Sequence, residues 1–142
     1  MNAPIFMNRT GTAIVAKRTF TDAAGKTHCD TIEWRGELVT GGADALVPDG
    51  CTRYYEGEAR AMAVRRFIPS MKTDIHTGPA DEHQITVMFE GKAVVATLDG
   101  GHFQLRPGEF GLVADDHGEG HRAADATGAG FTQLFVSVPA SA

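Results

Sequence analysis

His76-TGPADEHQITVMFEGKAVVATLDGGHFQLRPGEFGLVADDHGEG-His121 is the stretch whose reading decides the fold. Two histidines bracket about a third of the 142 residues. Between them lie short runs of β-branched and aliphatic residues, cut at intervals by Gly91, Asp99-Gly100-Gly101 and Pro107-Gly108. Runs of four to eight such residues between turn signals read as strands, and Asp-Gly is a hairpin signal. In the run His83–Glu90 the side chains alternate, so Gln84, Thr86 and Met88 share one face and His83, Ile85, Val87 and Phe89 the other. The second face wants apolar cover. The first mixes polar and apolar groups, as the wall of a ligand cavity does. His76 enters from the turn-rich loop before this strand, and His121 stands where a further strand starts after a glycine-rich loop. A sheet folded over on itself brings His76, Gln84 and His121 around one pocket.

The same pattern extends outward. Thr12–Phe20 reads as a strand, Asp22–Gly25 as a turn, and Thr27–Val39, broken at Gly36, as a half-buried strand with Ile32, Trp34 and Leu38 on alternate positions. A Gly- and Pro-containing loop is expected between about 40 and 52, then strands over Arg53–Glu56 and Ala59–Ile68. Alanines 59, 61 and 63 also allow a helix, but Ile68 precedes Pro69, which disfavours helical backbone there. The last strand is Phe131–Val138. Residues 1–11 read as a loose arm on a single domain, 1–142. About ten short strands without a helical stripe imply an all-β sandwich or barrel. Met62, Val64, Met88, Phe110 and Phe135 are expected in the core or lining the pocket.

Composition narrows the function. Lys plus Arg number 13 and Asp plus Glu 18, a net charge of −5, with no basic cluster beyond Arg65-Arg66. That argues against a nucleic-acid partner. No apolar run approaches the length needed to span a bilayer, and the N-terminus shows no signal-peptide pattern, so no membrane association and a cytoplasmic location are expected. Cys29 and Cys51 are too few and too far apart for a zinc knuckle or a redox pair, and are read as buried free thiols.

The chain resembles the cupin superfamily, whose first motif runs HxH…E…G and whose second runs PxG…H. Gly91 matches the close of the first motif, Gln84 stands at the place of its Glu, and His76 lies near its first His. The second His has no match, its place falling around Gly78–Ala80. Gly108 begins the second motif and His121 matches its His, with Asp115–Gly120 in place of PxG. Phe20–His28, Pro107-Gly108-Glu109 and Asp115–His121 are similar to the corresponding segments of small single-domain bacterial cupins of unassigned function. The resemblance implies an antiparallel double-stranded β-helix, or jelly-roll barrel, with the two motifs over 76–121.

It also implies a divalent transition metal such as iron, manganese, zinc or nickel, held by His76, Gln84 and His121. Glu82 or Asp116 is a further donor from a loop, and His83 only if the strand is out of register. His76 and His121 are the expected catalytic pair, on a metal or as general acid and base. Arg66, Thr86, Met88 and Asp116 are expected to contact substrate. Arg66 is read as an anion anchor if it faces the cavity and as an ordinary exposed arginine otherwise. Asp115 and Asp116 are loop carboxylates, or partners fixing the tautomer of His121. His28, His102 and His117 are expected to be exposed or locally bonded. Three functions fit: a small-molecule lyase, isomerase or oxygenase, a non-catalytic sensor or carrier without metal, or a scaffold or interaction protein. A homodimer through the N-terminal strands is expected, since Ile85, Val87 and Phe89 need cover.

Overall fold

The computed structural model describes residues 13–38 and 50–140. The arm expected at 1–11 and most of the loop expected between 40 and 52 lie outside the described residues. Eleven strands follow in order: β1 (Ala13–Thr21), β2 (Thr27–Arg35), β3 (Glu37–Leu38), β4 (Thr52–Arg53), β5 (Ala61–Phe67), β6 (Glu82–Glu90), β7 (Ala93–Ala96), β8 (His102–Leu105), β9 (Phe110–Ala114), β10 (Arg122–Asp125) and β11 (Phe131–Pro139). The fold is all-β, and among the described residues no helix is long and apolar enough to cross a membrane.

The strands form a six-stranded sheet ordered β2-β1-β9-β6-β11-β5, a three-stranded sheet ordered β10-β7-β8, and the short pair β3-β4. Bridges Lys72↔Ala124 and His76↔His121 lay the segment before β6 along β10 and so extend the small sheet. Inward side chains of the two sheets meet in a core of Met88, Ala93, Leu105 and Phe131, with Phe67, Met71 and Phe103 packed against it. Phe67 stacks on Phe131 at 4.6 Å between centroids. Burying such side chains stabilises by roughly 1.5–3 kcal/mol each.

Three expectations need correcting. The pairing is not antiparallel throughout: β1 runs parallel to β9, Ala16 opposite Phe110. No hairpin joins these two strands, so nothing dictates the antiparallel direction that a tight turn imposes. Met62 and Val64 are not interior; they are 73% and 56% exposed on the outer face of the edge strand β5. Cys29 and Cys51 are free, as expected, but half-buried rather than buried.

Ile85, Val87 and Phe89 do lie on the outer face of β6. Ile85 and Val87 are half-buried there, and Phe89 is 52% exposed. The exposed part of that face, Met62, Val64 and Phe89, is on the β5 side of the sheet, separated from β1 by β9.

One end of the sandwich is closed by a charged clamp. His28 on β2 sets Nε2 2.7 Å from Asp22 of the β1–β2 turn and Nδ1 2.7 Å from Asp99 of the β7–β8 hairpin. A neutral imidazole has one N–H, so only the imidazolium donates to both carboxylates. The bonds to Asp22 and then Asp99 raise the His28 pKa. Thr97, the Gly101 N–H and His28 hold Asp99 down at about 2. A raised histidine contributes stability that is complete below its usual value of about 6.5 and is lost as pH climbs through the raised value. Thermal stability is therefore expected to fall over that alkaline limb, and His28→Gln to flatten it. His83 works in the opposite direction, since burial lowers its pKa, so the difference between His28→Gln and the wild type is the quantity to plot. Superimposable slopes would remove the clamp.

Candidate functional site

A cavity of about 630 Å³ lies between the sheets. His76, Gln84, Thr86 and His121 all line it, with Thr19 and Gln133. The three residues expected to meet thus share one concave wall. Gln84 and Thr86 arrive by the alternation of β6. His76 and His121 arrive together, because their backbones are antiparallel partners: each N–H donates to the other's carbonyl at 2.9 Å. Their ring centroids are 4.6 Å apart.

The loop 115–120 delivers His121 because the β1–β2 hairpin grips it. Thr21 donates to the His117 carbonyl at 2.6 Å, the Gly25 carbonyl accepts from Glu119 N–H at 3.0 Å, and Thr27 accepts from Gly120 N–H at 3.0 Å. Gly78 is needed where the His76 loop crosses β9: a Cβ there would lie 2.9 Å from Val113 Cγ1. Gly78 N–H also donates to the Asp115 carbonyl at 2.9 Å.

The rings differ in depth. His121 is 6% exposed, whereas His76 stands at the open rim. Both are anchored by Nδ1. His76 Nδ1 lies 2.9 Å from the Asp74 carbonyl, which can only accept, so that nitrogen carries the proton. His121 Nδ1 lies 2.6 Å from Asp115 Oδ2, and Thr19 donates to Asp115 Oδ1 at 2.6 Å. Asp115 is fully buried, and a carboxylate with one oxygen on a hydroxyl and the other on a ring N–H fixes tautomer and orientation. With Nδ1 engaged in both rings, Nε2 is left without a protein partner among the described residues. An imidazole nitrogen placed this way can accept or donate a proton at the cavity.

Other expected site residues fall elsewhere. Arg66 is on the outer face of β5, bonded to Glu90 at 3.0 Å, Thr132 at 3.2 Å and the Ala129 carbonyl at 2.9 Å. Its neighbour Arg65 is the cavity arginine, because adjacent strand residues point to opposite faces. Met88 shares the inward face with Gln84 and Thr86 but is fully buried beyond the cavity, under Ala93, Leu105 and Phe131. Asp116 bonds His117 at 2.7 Å and is off the cavity wall; Asp115 is the carboxylate that meets His121. Glu82 and His83 are not on the wall either. His117 and His102 are exposed and locally bonded, as expected. Gln133, 6% exposed and on the wall, was missed. Its signal was present, a polar residue in phase with Phe131 and Phe135.

The donor set does not fit the implied metal. Among the described residues no group of three or more His, Cys, Asp or Glu is placed to hold an ion. Two imidazoles and a neutral amide fall short of the three histidine, cysteine or carboxylate ligands that catalytic zinc sites keep.

No protein-family model matches the chain, and no curated protein does. Solved structures do. A sugar phosphate isomerase from a cupin superfamily of Silicibacter pomeroyi is 23% identical over 54% of this chain and 48% of that one, TM-score 0.45. A cupin protein from Bacteroides fragilis is 19% identical over 57% and 66%, TM-score 0.44. The structural neighbours of this chain thus include cupins. A predicted oxalate decarboxylase from Thermotoga maritima is 14% identical over 88% and 93%, TM-score 0.47. The chain spans about half the length of the first of these, 48%.

Proposed function

We propose that this chain is a cupin that transforms a small molecule by proton transfer between His121, His76 and a substrate held in the cavity. The observation that carries this reading is the buried Asp115–His121 pair, 2.6 Å apart, beside a second imidazole. A merely structural histidine has no need of a carboxylate behind one nitrogen and an open cavity before the other.

The chemistry that suits the pair is isomerisation or elimination next to a carbonyl. His121 Nε2 takes the proton from the carbon beside the carbonyl, and Asp115 stabilises the imidazolium that forms. Protonated His76 gives its proton to the carbonyl oxygen, so the C–H electrons become the new C=C bond of an enediol. In an isomerase, His121 returns its proton to the neighbouring carbon while His76 recovers one from the other hydroxyl, and both rings are reset. The Gln84 amide N–H is available to the developing oxyanion. The implied transition metal is not used, because the donor set falls short of it. Pairing of two copies across the outer face belongs to the same reading, supported by the exposed Met62, Val64 and Phe89.

The test is a screen in D2O. Pools of small hydroxy- and oxo-compounds are incubated with the protein, and loss of C–H signal or conversion is followed by proton NMR. Exchange that His121→Ala abolishes while the variant keeps its fold supports the reading. Ligands that bind without exchange or conversion would leave a sensor or carrier instead.

A further inference from the structure

We infer that the cavity takes a small carboxylate, whose charge is held by Arg65 over Phe135 while its reacting end meets His76 and His121. This rests on the cavity being a ligand site, as proposed above, and adds the ligand's class. In a chain with 18 acidic and 13 basic residues, no Asp or Glu is among the described residues lining the cavity. Arg65 is the one permanently charged side chain on that wall. Arg66 is consumed by Glu90, Thr132 and Ala129. Arg65 by contrast has no carboxylate partner among the described residues, and its guanidinium lies 4.8 Å from the centroid of the Phe135 ring. With one face on the ring, the in-plane N–H edge stays available, which is the edge that grips a carboxylate with two parallel bonds.

Strand register places this anchor at a useful distance. Phe135 pairs with Thr86, so the guanidinium over its ring stands in the Thr86 row. Gln84 is the next inward position on β6, about 7 Å further along the strand, and leads to the His76–His121 end. Polar groups without protein partners fill the span. The Thr86 hydroxyl is buried and unbonded, in a niche that exists because residue 111 is Gly: a Cβ there would lie 2.6 Å from it. The Gln84 and Gln133 amides make no side-chain hydrogen bond among the described residues. Phe67, Phe103 and Leu105 supply apolar surface for the ligand's body. One fixed cation on the wall suits a monoanion; a phosphate dianion would bring a second charge that no other fixed cation on the wall meets.

The test is isothermal titration of the full chain with benzoate and hexanoate, their neutral amides, and phenyl phosphate. At least one carboxylate is expected to bind ten-fold or more tightly than its amide. Arg65→Gln should erase that preference, Arg65→Lys should keep part of it, and Arg66→Gln should leave it intact. Failure of both carboxylates to bind the wild type, or a preference that survives Arg65→Gln, would overturn the inference. Tighter binding of phenyl phosphate than of benzoate would overturn the carboxylate assignment in favour of a phosphate. Titration needs no turnover, so a protein that binds benzoate through Arg65 but exchanges no proton sinks only the proton-transfer reading. Proton exchange without charge preference sinks only the anchor.

Discussion

Asp115→Asn is expected to keep the fold and lower proton-transfer turnover by about 10²–10⁴-fold. The carboxylate has both oxygens committed, one to the Thr19 hydroxyl at 2.6 Å and one to His121 Nδ1 at 2.6 Å, and is fully buried. An asparagine of the same shape has two ways to sit there. With its NH2 toward His121, it forces Nδ1 to accept, moves the ring proton to Nε2 and removes the lone pair from the cavity. With its oxygen toward His121, it keeps the tautomer but no longer stabilises the imidazolium. Both routes impair the base. The ¹⁵N spectrum of labelled histidine tells them apart without any substrate, since the two nitrogens report which one carries the proton. Asp115→Ala is a different experiment. It leaves the His121 N–H and the Thr19 hydroxyl facing each other unpaired in a closed space, and is expected to cost about 3–5 kcal/mol of stability. Wild-type exchange rates in Asp115→Asn, with an unchanged His121 spectrum, would remove Asp115 from the chemistry.

What could be read beforehand follows from where the sequence carries phase information. In β6 the alternation is unambiguous, with Ile85, Val87 and Phe89 against Gln84, Thr86 and Met88, so the inward face of the strand was legible to the residue. The alternation puts Met88 on the inward face, where it lies. Its role was not legible, because whether an inward side chain meets cavity or core depends on the opposite sheet, here Ala93 and Leu105. In β5 the phase misleads. The outward Met62 and Val64 are more apolar than the inward Ala61 and Ala63, so a hydrophobic reading inverts the strand and selects Arg66 over Arg65. An edge strand pairs on one side only, and its outer apolar residues stay in the open, which no local pattern announces. Asp115 and Asp116 posed the same question on a loop, where side-chain direction has no period. The answer came from contacts with Thr19, ninety-six positions away in sequence.

Gly120→Ala is expected to cost about 2–5 kcal/mol, a large share of the 5–15 kcal/mol that holds a typical domain. Two effects add. Gly120 has φ +80°, a left-handed conformation that costs an L-residue roughly 1–2 kcal/mol. Its Cβ would also lie 2.4 Å from the His76 carbonyl oxygen, 2.6 Å from the His76 carbonyl carbon and 3.0 Å from Thr77 N. All three are backbone atoms, so no rotamer change relieves the clash, and the His76 segment has to lift away. The two 2.9 Å bonds between His76 and His121 then break, each worth about 0.5–1.5 kcal/mol. Gly100→Ala is the control. Its φ is +89°, yet nothing lies within 4 Å of the added Cβ, so only the backbone term of roughly 1–2 kcal/mol is expected there. The difference between the two variants in denaturant unfolding isolates the crowding at the His76–His121 crossing. Equal losses would mean that the two segments do not touch there. A larger loss at Gly120, together with altered ring signals for both His76 and His121, is the outcome expected if one glycine brings the two imidazoles together.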